Sequence, residues 1–165
     1  EIAYENRNHY FTAWAESNIA CGLFEEVAAP ESLYVEEKKE IDFITSRRKE
    51  LRRVLSDERV FGKIRATERL LSARPLRYIP KNAISKMGNE QLRAIFRDGD
   101  LLVIITGLKG LDSQHVGFAL WRDGSLYMRH SSSTFHKVID DHRTLAQYLQ
   151  RVRTSNGVRV LRVRE

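Results

Sequence analysis

The rhythm of apolar and polar positions changes along the chain. Ile2 and Tyr4 alternate with polar neighbours, as the end of a strand does. His9-Tyr10-Phe11-Thr12-Ala13-Trp14 then leads into a helical stretch that ends near Cys21-Gly22, glycine being a natural helix stop. Pro30 punctuates the next segment. From about residue 37 to 74 charges dominate. Ile41, Ile44, Leu51 and Leu55 recur at helical spacing, as do Ile64, Leu70 and Leu71. Ser56-Asp57-Glu58 supplies cap residues between the two groups. The pattern predicts a helical hairpin annex with one apolar stripe. Pro75 ends it, and Arg77–Lys81 reads as an extended connector, because the residue before Pro80 is pushed out of the α region.

The second half is strand-like. Asp98-Gly99-Asp100 is a turn, and Leu101–Thr106 is a buried-type strand followed by a glycine-containing loop to Asp112. His115–Trp121 and Leu126–His130 flank Asp123-Gly124, a hairpin signal. Lys137–Asp140 is short and extended, and Leu145 and Leu149 place a helix within Arg143–Arg153. Asn156-Gly157 turns into a last strand, Val158–Val163. Helices first and an antiparallel meander after them give an α+β fold, with N-terminal helices packed on a C-terminal antiparallel sheet.

Composition narrows the function classes. The chain has 165 residues, 42% hydrophobic and 30% charged, which is one ordinary folded domain and not a disordered segment. Its longest apolar run, Leu101–Ile105, falls far short of the roughly 20 residues that span a bilayer. Cys21 is the single cysteine, so no disulfide forms within the chain. The first residue is Glu1 and no signal-peptide pattern follows, so the chain reads as part of something that began upstream. The net charge of +6 favours anionic partners such as nucleic acid, anionic lipid or acidic cell-wall polymers. In the run Ser46–Arg53 acidic residues interleave with the basic ones, which marks a solvated helix face. No aromatic residues interleave there, so no nucleic-acid partner is expected.

The candidate chemistry lies in the hairpin. With a two-residue turn at Asp123-Gly124, His130 lies opposite Gly117 and His115 opposite Ser132. His115, Gly117, His130 and Ser132 then share one face, with the two histidines diagonal neighbours about 7 Å apart or less. Ala119, Trp121, Leu126 and Met128 continue that face, so it is apolar at the turn and polar at the histidines. Two imidazoles on a rigid sheet suit a proton-accepting base and the group that fixes its tautomer. They also suit two hydrogen-bonded structural residues. A metal site using them with Asp112 or His136 matches no standard ligand spacing.

Gly99-Asp100-Leu101, His115-Val116-Gly117-Phe118-Ala119 and His130-Ser131-Ser132 resemble, in order, the NlpC-like branch of papain-fold cell-wall peptidases. The similarity is greater to the N-acetylmuramoyl-L-alanine amidase-like proteins of bacteria. It extends to Arg7-Asn8-His9-Tyr10-Phe11 with Trp14, to Tyr78-Ile79-Pro80-Lys81, to Gly110–His115 and to Gly157–Val160, and so covers essentially residues 1–165. Each motif is weak alone; the ordered set is specific. The resemblance implies a papain-like, NlpC-like domain of the bacterial cell envelope, periplasmic or exported. It implies hydrolysis of an amide bond in peptidoglycan by a cysteine nucleophile, with His115 as base and His130 as third polar residue, and no metal or cofactor. The family's cysteine lies upstream of Arg7-Asn8-His9-Tyr10, so residues 1–165 form a domain incomplete at its N-terminus and inactive alone.

Cys21 is no substitute, because it lies at a helix C-terminus, where the dipole opposes a thiolate. Arg7, His9, Tyr10, Ser131 and Ser132 are the candidate contacts to a muropeptide. His9, Tyr10 and Trp14 are equally consistent with core packing, and Arg7 with an internal acid. The serines lack the Gly-x-Ser-x-Gly setting of a nucleophile. With the upstream helix missing, the face around Trp121, Leu126 and Met128 is expected to lack part of its cover. Two rivals stand beside the amidase reading: a cell-wall glycan or peptide binding module without catalysis, and a basic nucleic-acid binder.

Overall fold

Leu101–Thr106 forms strand β4 and is buried at every position. Successive side chains on a strand point to opposite faces, so a strand buried at every position, apolar from Leu101 to Ile105, needs cover on both sides. The computed structural model describes residues 3–164 and shows how that cover is supplied. The other strands are β1 (Phe24–Glu26), β2 (Val35–Glu37), β3 (Leu76–Pro80), β5 (Ser113–Arg122), β6 (Ser125–Ser132), β7 (Lys137–Asp140) and β8 (Ser155–Val163). They form one antiparallel sheet in the order β2-β3-β8-β4-β5-β6-β7, with β1 also paired to β8.

The helices are α1 (Phe11–Ala20), α2 (Arg52–Leu55), α3 (Glu58–Ser72), α4 (Lys81–Ile84), α5 (Asn89–Ile95) and α6 (Leu145–Arg151). Ile84, Leu92, Ile95, Leu145 and Leu149, from α4, α5 and α6, pack on Leu102, Ile104, Ala119, Met128, Val158 and Val160. Phe11, Trp14 and Ala15 of α1 pack on Leu101 and Leu161 of the opposite face. The cover there extends over Leu76 and Tyr78 of β3, with Val103 and Ile105, but stops at β4 on the other side. Val116 and Phe118 of β5 and Val138 of β7 remain exposed on that side.

The pattern reading holds for α1, whose C-cap is Cys21, with Gly22 beyond it in the left-handed region at φ 74°. Asp57 caps α3 as expected, accepting from the N–H groups of Arg59 and Val60. Four local readings are corrected. The annex is not a hairpin of two helices: its first arm is β2, a turn of 3-10 helix at Thr45–Arg47 and the single turn α2. Its apolar residues still face inward, except Leu70, which is 67% exposed. Arg77–Pro80 is not a free connector but belongs to β3, whose missing proline N–H falls at the strand's last residue. Asn156-Gly157 is not a turn. It lies inside β8 where β3 crosses so closely that a Cβ on Gly157 would sit 2.2 Å from the Ile79 carbonyl oxygen. Tyr4 lies in a 3-10 turn, Tyr4–Asn6, and Ile2 lies outside the described residues.

The expected lack of cover near the hairpin turn is also corrected. Leu126 and Met128 are buried under the α4–α6 layer. Trp121 is half-buried, its indole N–H donating to the Phe96 carbonyl at 3.0 Å with the Arg93 guanidinium stacked on its ring.

Candidate active site

The geometry starts at the Asp123-Gly124 turn. Both residues have positive φ, 49° and 75°, and Arg122 pairs with Ser125 across them. Turns of this hand match the twist of the flanking strands and fix the register. The pairing runs through Trp121 against Leu126 to Phe118 against Arg129, so His115 and His130 share a face. Nε2 of His115 lies 2.8 Å from Nδ1 of His130, with the rings nearly perpendicular at 85°. Gly117 keeps the strands close. A Cβ there would stand 2.6 Å from Met128 Cγ and 2.8 Å from the Arg129 carbonyl oxygen.

Helix α6 supplies the wall beside the pair. Thr144 and Gln147 form a reciprocal capping box at its start. One turn on, the Tyr148 ring packs 5.5 Å from the His130 ring and 6.4 Å from the His115 ring. Burial and the nearby Asp141 charge raise the Tyr148 hydroxyl, so it stays protonated.

Strand β7 supplies the acid. Ile139 pairs with His130, and two residues on, the Asp141 N–H donates to the Met128 carbonyl at 3.0 Å. Asp141 is fully buried, its Oδ2 3.4 Å from His130 Nε2. Arg143 donates to Oδ1 from its backbone N at 2.8 Å and from Nε at 2.9 Å, and to Oδ2 from Nη2 at 2.8 Å. Burial works against the Asp141 charge, but the Arg143 hydrogen bonds and charge outweigh it and hold the carboxyl at about 2. His115 is half-buried. Burial first, and the neighbouring His130 second, hold it below the ordinary 6.5, so near neutral pH it is a neutral base.

His115, His130, Ser131, Ser132, Asp141 and Tyr148 line a cleft of about 590 Å³. A second cleft of about 470 Å³ runs along the start of α1 and is lined by His9, Tyr10 and Trp14. The two meet at Gln114 and His115. Gln114 is anchored by the Thr106 and Thr154 hydroxyls, which reach its Oε1 at 2.8 and 2.7 Å. Two larger clefts, about 680 Å³ beside α3 and about 880 Å³ beside Arg162, contain no histidine, and chemistry outweighs size in choosing between them.

The structure thus brings His115, His130, Ser131 and Ser132 together, with His9 in the adjoining cleft. Ser131 is exposed; Ser132 is buried and accepts from the Phe135 N–H at 3.3 Å. His9 is held by the Tyr4 carbonyl at 2.6 Å from Nε2. Tyr10 and Arg7 are placed less directly. Tyr10 reaches its cleft with its body only, because its hydroxyl donates inward to Glu68 at 2.6 Å and burial keeps the residue 3% exposed. Arg7 is exposed and lines neither cleft. Asp112 is committed to α1, accepting the Thr12 N–H at 2.6 Å. Cys21 is exposed at the far end of α1 and lines neither cleft.

Sequence reasoning missed Asp141, Arg143 and Tyr148. One signal was present. Pairing Ser132 with Lys137 across a four-residue loop, as observed, places Asp141 diagonal to His130 on the same face.

Comparison with known proteins places the chain in a family. An N-acetylmuramoyl-L-alanine amidase from Bacteroides uniformis ATCC 8492 superposes with a TM-score of 0.88 at 29% identity, covering 99% of this chain and 68% of its own. A Bacteroides fragilis protein provisionally described as a xylanase gives 0.87 at 27% identity, covering 99% and 69%. A Legionella pneumophila protein of the DUF1460 family gives 0.66 at 21% identity, covering 100% and 64%, and shares the fold. No curated protein matches. Residues 1–157 match the AmiA-like family, described as N-acetylmuramoyl-L-alanine amidase-like, and the chain belongs to that family.

Proposed function

We propose that this chain forms the base-bearing part of a cysteine-type amidase of the bacterial cell wall, an NlpC-like member of the papain fold. The observation that carries the reading is the 2.8 Å contact between His115 and His130 on the wall of a cleft. The amidase family and the amidase-described neighbour support the substrate class. The bond attacked is the amide between the lactyl carbonyl of N-acetylmuramic acid and the amine of L-alanine, or a nearby peptide bond. The nucleophile is a cysteine thiol from a segment outside these 165 residues.

In this reading His115 takes the thiol proton as the sulfur attacks the carbonyl carbon. The tetrahedral intermediate collapses, the C–N bond breaks, and His115 returns the proton to the leaving amine. Water, losing a proton to His115, then attacks the thioester, and the free carboxylic acid and the thiol are released. His130 holds the His115 ring in place. Such chemistry acts on wall polymer, so the protein works in the periplasm or outside the cell. No helix among the described residues is long and apolar enough to cross a membrane.

The test is digestion of purified muropeptides by the protein that carries this domain with its upstream segment. Release of the L-alanine peptide is expected to fall by about 10³-fold or more in His115→Ala. An unchanged rate would remove the mechanism. The position of Cys21 outside both clefts favours a second reading for the 165 residues by themselves. They would hold a muropeptide without cleaving it, and calorimetric binding with no release of peptide would distinguish that case.

A further inference from the structure

We propose that Asp141, clamped by Arg143, is a positioning residue that sets the tautomers of both histidines and makes Nδ1 of His115 the proton-accepting atom. The inference rests on the reading of His115 as the base. Its starting point is the Asp141 carboxylate, which is fully buried and carries three Arg143 hydrogen bonds on one side. Its remaining Oδ2 lone pair faces His130 Nε2 at 3.4 Å.

An ionised carboxylate only accepts hydrogen bonds, so His130 must carry its proton on Nε2. A ring with that single proton then offers a lone pair at Nδ1. That atom stands 2.8 Å from His115 Nε2, which must therefore carry a proton too. The lone pair of neutral His115 is left on Nδ1, free of both other members of the chain.

Without the carboxylate the opposite order is available. His130 would donate from Nδ1 to His115 Nε2, and His115 would hold its proton on Nδ1. Two imidazoles alone have little reason to choose between these orders. A charge-assisted hydrogen bond at one end biases the choice by about 10- to 100-fold.

The clamp explains the sequence of groups. Arg143 keeps Asp141 ionised and oriented, since its Nε and Nη2 form a fork that matches two carboxylate oxygens. The Asp141 N–H is pinned to Met128 on the strand that carries His130. The charged and titratable groups around the histidines are Asp141, Arg143, Tyr148 and His142. His142 is exposed, with Nδ1 3.7 Å from Asp141 Oδ1. Tyr148 keeps its proton, and its ring packs against both imidazoles.

The test reads the tautomers directly. The 165-residue chain is labelled with ¹⁵N-histidine and its long-range ¹H–¹⁵N correlations are recorded at pH 7.5. Both His115 and His130 are expected with a protonated Nε2 and a bare Nδ1. Asp141→Asn, checked for folding by near-ultraviolet circular dichroism, is expected to move both histidines towards the Nδ1–H form. A wild-type spectrum with His130 protonated on Nδ1 overturns the proposal with no variant needed, as do unchanged tautomers in folded Asp141→Asn. In the active protein Asp141→Asn, whose amide N–H can face His130 Nε2 and favour the opposite order, is expected to lower kcat by about 10- to 100-fold with KM within about threefold. A kcat within about twofold of wild type overturns it. If the tautomers behave as stated but His115→Ala retains activity, the amidase mechanism fails while the tautomer assignment stands.

Discussion

Two buried carboxylates organise two ends of this molecule in different ways. Glu68 is 2% exposed on α3, inside the annex. Its Oε1 accepts from the Tyr10 hydroxyl at 2.6 Å and from the N–H groups of Ile44 and Thr45 at 3.0 and 3.1 Å, and the Thr45 hydroxyl reaches its Oε2. Every partner is a neutral donor fixed to the fold, and Tyr10, raised far above its ordinary value by burial and by Glu68, keeps its proton. Asp141 is equally buried but stands between a cation and an imidazole. Glu68 closes a network; Asp141 begins one that ends on a cleft wall. A buried carboxylate signals chemistry when one of its partners can change protonation and also meets solvent.

That contrast can be broken by measurement. The largest stability effect is expected at Glu68→Ala, which strands several buried donors and should cost about 3 kcal/mol in urea unfolding. His115→Ala, half-buried on the cleft wall, should cost less than about 1 kcal/mol in the same assay while removing activity. If His115→Ala proves the more destabilising of the two, the division into a structural and a chemical network is wrong.

The acid limb of stability sharpens it further. Asp141 is held at about 2 against an ordinary 3.8, so its charged form is favoured by folding. The contribution, about 2 kcal/mol, is complete above about pH 4 and is lost as the pH falls towards 2. Stability measured across that window should therefore flatten in Asp141→Asn. An unchanged slope would mean that Arg143 does not favour the charged carboxylate. Tyr10→Phe, which removes one of Glu68's donors, should cost about 1 kcal/mol by chemical denaturation, well below Glu68→Ala. A cost above about 3 kcal/mol would show that the hydroxyl, not the carboxylate, is the centre of the annex network.

How legible each region was follows from what fixes it. The hairpin was readable because Asp123-Gly124 sets a register locally, and the register alone places His115 beside His130. The strand Leu101–Thr106 and the Asp57 cap were readable for the same reason. The annex was not, because Ile41, Ile44, Leu51 and Leu55 carry helical spacing while their segment is held by contacts far away, with Ile41 bridging Gly110. Tertiary contacts overrode local periodicity there. Asn156-Gly157 looks like a turn to any local rule. Only the crossing of β3 over Gly157 shows why the glycine is needed. Asp141 stayed hidden because its place depends on a second register, set across the loop of residues 133–136.

One feature of the sheet bears on how the chain is made. Strand β8, residues 155–163, lies between β3 and β4 and also takes β1 on its edge. An interior strand of the sheet is therefore made after the other seven described strands. Until it emerges, β1 lacks its partner, and β3 and β4 each have one edge bare, β4 with apolar side chains on both faces. Such edges are the surfaces on which nascent chains aggregate or recruit chaperones. This part of the sheet closes by inserting β8 between β3 and β4, so its assembly is governed by contacts distant in sequence and cannot proceed from the N-terminus one element at a time.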